Sequence, residues 1–462
     1  MALARLFDTD LFARAKAWST SNRHESLAQR AAGAAFLIRF VSAAFLYLSQ
    51  VFFARWIGES EFGIYVYAWT WVQLLGDVLH LGLSTAAQRY IPRYIQQNAW
   101  ELLRGFVSRS RWIVLSSATV AGLTAALAIR LGESWMNQHA IWPLYLACMA
   151  LPAFTLCSLL DGIARSYNWI GLALLPPYVL RPFLMILIMT VVHQFGIGAD
   201  ATTAMMAAVG ATWATTFVHL VVLNRRLRGV IPAGPRQYEV RTWLTESFPI
   251  LLMWGFYTLL SYIDILVLQQ FRPPEEVALY YAASKTLALV AFVNFAVGAA
   301  VSHRFSEYHV AGDRKRLAEL VRSSVRWTFW PALAAMVVVL ALGRPFLWLF
   351  GPKFVDGYPF MFILALGLLA RAALGPTERL LIMVGQQRAC AAVYAAAFGI
   401  NLALSLILVP RLGGFGVAAA TATSLICESV MLFWLAKDRL GVHTFIWNWT
   451  ARPSREASAA AR

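Results

Sequence analysis

Long apolar segments separated by short polar connections repeat along almost the whole chain. Segments of roughly 20 residues with few charges recur between residues 31 and 436. Because a helix rises 1.5 Å per residue, each segment can cross a bilayer core of about 30 Å. The pattern predicts twelve membrane-spanning helices, at 31–53, 62–84, 111–130, 139–160, 170–193, 201–223, 245–270, 277–300, 327–349, 357–384, 390–409 and 415–436.

The composition agrees with an all-α integral membrane protein. Of 462 residues, 60% are hydrophobic and only 13% are charged, whereas about 25% are charged in a typical soluble domain. The four cysteines lie in or beside predicted spans, without the spacing of a disulfide framework or of a zinc site. We therefore expect no metal and no cofactor, apart from H⁺ or Na⁺ as a coupling ion.

The basic residues are distributed unevenly between the two sides of the membrane. With the twelve spans threaded and both ends on one side, 29 of the 39 Lys and Arg fall on that side, six fall on the other and four lie within spans. Because Lys and Arg accumulate in cytoplasmic loops, this division places both termini in the cytoplasm. Topology accounts for the net charge of +16, and nucleic acid is not an expected partner.

The two halves of the chain resemble each other at an offset of 215 residues. Glu61 falls on Glu276 and Arg89 falls on Arg304, each pair at the ends of equivalent spans. Each half holds six spans, so the halves share an orientation and a pseudo-twofold axis along the membrane normal. The predicted parts are a cytoplasmic segment with a short interfacial helix (1–30), two six-helix bundles (31–223 and 244–436), a cytoplasmic linker (224–243) and a cytoplasmic tail (437–462).

Two stretches resemble a known family of membrane transporters. The stretch FFARWIGESEFGIYVYAW, followed by LGLSTAAQRYIPRY, contains Ala54-Arg55, Ile57-Gly58, Phe62-Gly63-x-Tyr65, Gly82-Leu83 and Arg89. The stretch NLALSLILVPRLGGFGVAAATATS contains Asn401, Pro410, Gly414, Gly416 and a run of small residues to Thr421. They resemble the first two and last two spans of the polysaccharide-transporter branch of the multidrug/oligosaccharidyl-lipid/polysaccharide exporter superfamily, and the likeness covers most of the chain.

This resemblance implies a fold, a function and partners. The fold is MATE-like, with two six-helix bundles forming a V around a cavity that opens alternately to each side. The function is that of a flippase, which moves undecaprenyl-diphosphate-linked oligosaccharides across the bacterial inner membrane for O-antigen, capsule or exopolysaccharide synthesis. A polysaccharide polymerase and a chain-length regulator are the implied protein partners. Multidrug exporters share the fold, so an ion-coupled multidrug or metabolite exporter is the alternative.

Seven ionisable residues inside the predicted spans are candidates for the transport site. Charges within a bilayer are costly and usually face the interior of a bundle or a water-filled path. Arg39, Arg181, Lys285 and Arg371 are expected to bind the diphosphate and glycan, because an anionic headgroup in an apolar cavity needs a cation. The acids are expected to couple transport to an ion or to gate it: Asp77, Asp264 and Glu428. A net cationic or neutral cavity would suit a diphosphate better than a cationic drug.

The charges of the N-terminal half also have structural explanations. Arg39 could extend its side chain to the cytoplasmic surface, and Asp77 could be its ion-pair partner. Arg181 could cap a helix that is broken by the neighbouring prolines. Several aromatic residues could stack on sugar rings or simply form an interfacial belt, namely Tyr65, Tyr67, Trp69, Trp71, Tyr280 and Tyr281.

The charges of the C-terminal half allow similar alternatives. Lys285 and Asp264 lie on consecutive spans at equal predicted heights, and we expect them to form an ion pair. Arg371 could pair with Glu378 beside a kink, whereas Glu428 has no evident partner nearby in the sequence.

A membrane enzyme of envelope synthesis is a third interpretation. Such an enzyme needs catalytic carboxylates or histidines at an accessible surface, usually on large loops. The predicted periplasmic connections are short and hold no paired carboxylates, Ser-His pair or metal-ligand spacing. No glycine-rich phosphate loop is present either. The sequence therefore predicts a transporter without catalytic residues, driven by an ion gradient or by removal of its substrate.

Overall fold

Helices account for nearly all of the described chain. The computed structural model describes the backbone of residues 24–196 and 198–447 and the side chains of residues 41–196 and 198–447. Within these ranges no β-strand occurs, and eleven helices are long and apolar enough to cross a membrane. The predicted all-α membrane fold is confirmed. The predicted interfacial helix of the N-terminal segment lies largely outside the described residues.

The α-helices are numbered α1 to α16 in chain order. They are α1 (His24–Leu79), α2 (Leu83–Gln96), α3 (Trp100–Gly132), α4 (Gln138–Ser166), α5 (Ile170–Leu175), α6 (Arg181–Gln194), α7 (Ala201–Arg228), α8 (Val240–Phe271), α9 (Pro274–Leu287), α10 (Ala291–Val310), α11 (Arg314–Ala341), α12 (Gly343–Phe350), α13 (Tyr358–Leu374), α14 (Thr377–Met383), α15 (Gln387–Leu412) and α16 (Gly414–Leu440). Short helical turns follow α3, α5, α9 and α12.

Helix α1 contains two membrane spans joined by a reversal at Gly58. Gly58 has φ 80° and ψ 171°, a conformation that other residues rarely adopt. The ring centroids of Phe53 and Tyr65 lie 5.2 Å apart, whereas twelve residues of straight helix would separate them by about 18 Å. The two halves of α1 therefore lie side by side. Counted separately, they are the first two of twelve spans, in agreement with the predicted number.

The internal repeat has a direct structural counterpart at one end of the protein. The Glu61 carboxylate accepts a hydrogen bond from the Ala201 backbone N–H at 2.8 Å, at the start of α7. The Glu276 carboxylate accepts one from the Gly414 N–H at 2.6 Å, at the start of α16. In each bundle, the acid that begins the second span thus caps the last span, where a negative charge is favourable. These equivalent contacts support the pseudo-twofold relation between the bundles.

Several predicted boundaries differ from the structure. The span predicted at 327–349 is instead α11, which ends at Ala341, followed by the separate short helix α12. Because α12 is itself apolar, hydropathy alone could not separate it from the span. The non-helical linker covers only 229–239. Helix α16 runs on to Leu440, and the segment after it packs back through a hydrogen bond from Ile446 N–H to the Ala373 carbonyl.

The prolines of the fifth span widen the helix but do not break it. A π-helical turn, Pro176–Leu180, joins α5 to α6. The backbone N–H of Arg181 donates to the carbonyl of Pro176, five residues earlier, which accommodates prolines that have no N–H to donate. The backbone of Arg181 therefore provides the hydrogen bond that closes this turn, and its guanidinium remains available for other contacts.

Candidate functional site

A cavity of about 340 Å³ lies between the two bundles. The N-terminal bundle contributes both halves of α1, the second half of α4, the π-helical turn and the start of α6. The C-terminal bundle contributes α8, α9, the turn after α9 and the start of α10. Its polar and charged lining residues are Tyr47, Gln50, Gln73, Asp77, Ser158, Asp161, Tyr178, Arg181, Tyr262, Tyr281 and Lys285. This volume falls within the range of small-molecule sites.

Arg181 lies on the cavity wall and faces aromatic rings. Its guanidinium carbon is 5.0 Å from the Phe154 ring centroid and 5.7 Å from that of Trp69. Within the described side chains, no carboxylate lies close enough to form an ion pair with it. Aromatic faces stabilise a cation without neutralising it. The guanidinium is thus not held by a carboxylate and can bind an anionic ligand.

Lys285 occupies the opposite wall in a similar environment. Its ammonium nitrogen is 5.1 Å from the Tyr281 ring centroid and 5.7 Å from that of Tyr262. The same two tyrosines join the bundles across the cavity floor, since Tyr262 donates to Gln73 at 3.0 Å and Tyr281 donates to Gln50 at 3.5 Å. The two cations therefore project from different bundles into one space.

Two acids share this cavity, and only Asp77 was predicted. Asp161 lines the cavity as well, with its carboxylate bound by Arg165 through contacts of 2.9 to 3.1 Å. It was missed because the predicted span ended at residue 160, whereas α4 continues to Ser166. Because Arg165 neutralises Asp161, the described lining has Arg181 and Lys285 against Asp77 alone. The side chain of Arg39, in the first half of α1, lies outside the described side chains.

The predicted ion pair between Asp264 and Lys285 is wrong for this conformation. Asp264 is buried and accepts hydrogen bonds from the Tyr280 hydroxyl at 2.7 Å and from the Ile265 N–H at 2.8 Å. Helix α9 begins at Pro274, three residues earlier than predicted. Asp264 lies seven residues from the end of α8, whereas Lys285 lies eleven residues into α9 and Tyr280 only six. Tyr280 is therefore the residue level with Asp264.

Arg371 and Glu428 come together away from this cavity, inside the C-terminal bundle. The Arg371 guanidinium lies 3.2 Å from a Glu428 oxygen and 3.4 Å from a Glu378 oxygen, with its carbon 5.6 Å from the Tyr257 ring centroid. Glu428 is completely buried. The alternative that Arg371 pairs with Glu378 is confirmed. Glu428 also pairs with Arg371, although the two residues are far apart in the sequence. The roles predicted for these residues in transport stay predictions.

The cavity is closed at the end of the protein that holds Gly58 and α12, which we call the Gly58 end. Phe62 packs against Tyr281, Phe350 and Phe354, with ring centroids 5.9 to 6.3 Å apart. Arg55 donates to the carbonyls of Leu349 and Trp348 at 2.6 and 3.1 Å. From this seal the cavity extends toward Asp161, which is about one turn from the opposite end of α4. The bundles thus meet at one end and enclose polar space beyond it.

Comparisons with known proteins agree with this architecture. A sequence model described as polysaccharide biosynthesis protein matches residues 30–309, more than half of the chain. A second model, described as MatE, matches residues 249–407. An uncharacterized membrane protein of Methanocaldococcus jannaschii is 20% identical over 431 residues, covering 88% of this chain and 83% of that protein. The sequence similarity therefore extends through both bundles.

Two solved structures with the same fold can be superposed over most of the chain. A multidrug resistance MATE family transporter of the MOP superfamily, in an inward-facing conformation, gives a TM-score of 0.71 at 14% identity, over 88% of this chain and 98% of that one. The lipid II flippase MurJ, in an inward closed conformation, gives 0.70 at 16% identity, over 87% of each chain. At these identities the likeness concerns the fold alone, and it confirms the MATE-like arrangement.

Proposed function

This chain belongs to the polysaccharide biosynthesis protein family, and from that premise we propose that it is a flippase for lipid-linked oligosaccharides. It moves undecaprenyl-diphosphate-linked repeat units from the cytoplasmic to the periplasmic leaflet of the bacterial inner membrane. The products serve O-antigen, capsule or exopolysaccharide synthesis. Both termini lie in the cytoplasm, and a polysaccharide polymerase and a chain-length regulator act next to it in the membrane.

The observation that carries this proposal is the pair of cations in the cavity between the bundles. Arg181 and Lys285 contact aromatic faces and have no ion-pair partner within 4.0 Å among the described residues. A charge held this way in an apolar bundle is costly unless a ligand or water compensates it. The negative charges of a diphosphate can compensate both cations, and the guanidinium of Arg181 can donate two hydrogen bonds to phosphate oxygens at once.

The surrounding residues fit the rest of such a substrate. Trp69, Tyr262 and Tyr281 present ring faces next to the cations, and such faces can stack on sugar rings. Arg39 receives the diphosphate first, and Arg181 and Lys285 hold it deeper in the protein. Asp77, Asp264 and Glu428 couple the conformational change to H⁺ or Na⁺. A lipid II flippase of the same fold supports a lipid-linked substrate.

An ion-coupled multidrug exporter is the second candidate, favoured by the MatE match and by the MATE transporter of the same fold. The charges of the cavity argue against it for cationic drugs. Arg181 and Lys285 project from opposite bundles, so a cationic drug between them would meet repulsion that Asp77 alone offsets. The solved structures of the same fold include a transporter and a flippase, which supports a function in transport.

The test compares Arg181 and Arg39 with an arginine that lies outside the cavity. Arg181→Gln should leave expression and insertion unchanged but abolish most transport, so that the lipid-linked repeat unit accumulates in the cytoplasmic leaflet. Arg181→Lys should retain part of the activity. Likewise, Arg39→Ala should abolish most transport and Arg39→Lys should retain part of it. Arg344→Gln is the control, because Arg344 also lies over an aromatic ring, that of Tyr358 at 5.3 Å, but not in the cavity. Normal transport by Arg181→Gln at wild-type expression would overturn the proposal.

A further inference from the structure

A second cleft, of about 780 Å³, lies on the N-terminal bundle at the end opposite the Gly58 end. It is formed by the first half of α3, the last two turns of α7 and the segment 231–236 that follows α7. Its four charged residues are all arginines: Arg104, Arg111, Arg228 and Arg236. Among the described residues that line it, no Asp or Glu occurs. We propose that this cleft binds the phosphate headgroup of an anionic phospholipid, independently of the transport cavity.

The cleft is polar at its outer end and apolar at its inner end. Arg104, Ser108, Arg111 and Leu115 follow each other on α3 at helical spacing and form one stripe. From Arg104 to Arg111 the helix rises about 10 Å, so two guanidinium groups bracket one headgroup-sized length. Deeper in the cleft, Leu115, Leu156 and Leu220 replace the polar side chains. This order matches a phospholipid, whose phosphate is followed by acyl chains.

Arg111 is the residue that most clearly calls for an anion. Its Nη1 donates to the Asn224 side-chain oxygen at 2.7 Å. Its Nε and Nη2 are buried, and they have no hydrogen-bond partner in the part of the chain that the structure describes. A buried donor without an acceptor is destabilising, and for a charged group the cost is larger. Phosphate oxygens are the acceptors that a guanidinium fits best.

Two of the other arginines, Arg104 and Arg236, hold the mouth of the cleft in place. Arg104 donates to the carbonyls of Pro235 and Pro232 at 2.7 and 2.8 Å, which fixes the segment after α7 across the opening. Arg236 donates to the Ser108 hydroxyl at 3.4 Å. Neither interaction is with a carboxylate, so the positive charge is not neutralised.

The position of the cleft identifies its ligand as a membrane lipid. By the charge distribution this end of α3 and α7 is cytoplasmic, where anionic lipids attract basic residues and basic pockets between helices bind lipid headgroups. Trp112 borders the cleft with 64% of its surface exposed, in the manner of residues at the membrane interface. The opening thus lies at headgroup depth.

The experiment measures lipid retention by native mass spectrometry on the full-length protein after delipidation. Phosphatidylglycerol and phosphatidylcholine with identical acyl chains are titrated in parallel. The wild type should bind at least one phosphatidylglycerol more tightly than phosphatidylcholine. Arg111→Gln and Arg228→Gln should each weaken that binding about tenfold, and Arg111→Lys should weaken it less. Arg225→Gln is the matched control, because Arg225 is exposed on the same helix as Arg228 but does not line the cleft.

Each alternative gives a distinct result that would overturn the proposal. Equal binding of the two lipids would show that the cleft does not require a headgroup with a net negative charge. An equal loss in Arg225→Gln would indicate general surface charge in place of a built site. Displacement of the lipid by millimolar inorganic phosphate would identify a free anion as the ligand. If Arg111→Gln fails to fold, as judged by gel filtration and circular dichroism, the exposed Arg228→Gln decides the outcome.

Discussion

Arg371→Leu should destabilise the protein more than any surface substitution of the same kind. Arg371 holds two carboxylates, and they differ in exposure: the Glu428 side chain is fully buried, whereas that of Glu378 is 21% exposed. Without Arg371, Glu378 can turn to water, but Glu428 loses its only ion-pair partner in the described structure. Removing one partner of a buried pair costs about 3–5 kcal/mol. Because the Arg371 side chain is itself 25% exposed, we expect a loss near the lower bound, about 3 kcal/mol.

The double variant Arg371→Leu/Glu428→Leu separates the ion pair from simple packing. Replacing a buried pair by apolar side chains of similar volume is often neutral, so the double variant should lie within about 1 kcal/mol of the wild type. Glu428→Leu alone should cost less than Arg371→Leu, because Arg371 keeps Glu378 and the ring of Tyr257. The measurement is equilibrium unfolding in mixed micelles with increasing SDS, followed by circular dichroism.

The control for this series is an exposed ion pair on α16. Arg439 lies 3.7 Å from Asp438, and these side chains are 59% and 79% exposed. Exposed pairs contribute about 0–1 kcal/mol, so Arg439→Leu should change stability by less than about 0.5 kcal/mol. A loss in Arg371→Leu as small as in this control, or a double variant no more stable than Arg371→Leu, would refute the reasoning.

Three further predictions test other parts of the structure. Reporter fusions after residues 60, 135 and 274 should report the periplasm, and fusions after 100 and 233 the cytoplasm; a periplasmic signal at 233 would contradict two bundles of six spans. Gly63→Ala should weaken closure of the Gly58 end, because a Cβ there would lie 1.9 Å from the Pro274 carbonyl oxygen; electron–electron double resonance between labels at 138 and 411 should show longer distances, and an unchanged distribution would count against it. Glu61→Gln and Glu276→Gln should each cost about 0.5–2 kcal/mol, as equivalent helix caps; no loss in either variant in SDS unfolding would argue against these equivalent roles.

Most of the fold was predictable because of what a bilayer requires. Backbone groups in lipid must be satisfied within the segment, so long apolar runs can only be helices. What hydropathy could not supply was the boundary between two apolar helices of different role. Helix α12 follows α11 after a break at Leu342. Because α12 is also apolar, the sequence predicted a single span across both helices. The π-helical turn at Pro176 was likewise hidden, since prolines signal a disturbance in a helix but not its form.

The residues of the candidate site were predictable where a charge within an apolar span was the only signal needed. Arg181, Lys285 and Asp77 were selected as charges within apolar spans, and all three line the cavity. Asp161 was missed because its helix is longer than its apolar segment. Asp264 was assigned the wrong partner because α9 begins three residues earlier than predicted. This shift changes the height of Lys285 relative to Asp264 by about 4–5 Å. Such errors arise from helix ends, which depend on local capping more than on hydropathy.

The interactions at the Gly58 end bear on whether the cavity can open to both sides. Lys353 pairs with Glu59 across the bundles, but the lysine side chain is 73% exposed, so the pair contributes about 0–1 kcal/mol. The hydrogen bonds from Arg55 to backbone carbonyls are exposed as well. The buried part of the seal is the group of rings around Phe62, where each aromatic pair adds about 0.5–1.5 kcal/mol beyond its buried area. Closure therefore rests on a few weak contacts, one aromatic cluster and the close packing of Gly63 against Pro274. Differential binding of a ligand can offset an energy of this kind. Under the proposed function, a diphosphate held by Arg181 and Lys285 together would favour whichever conformation brings the two bundles closest.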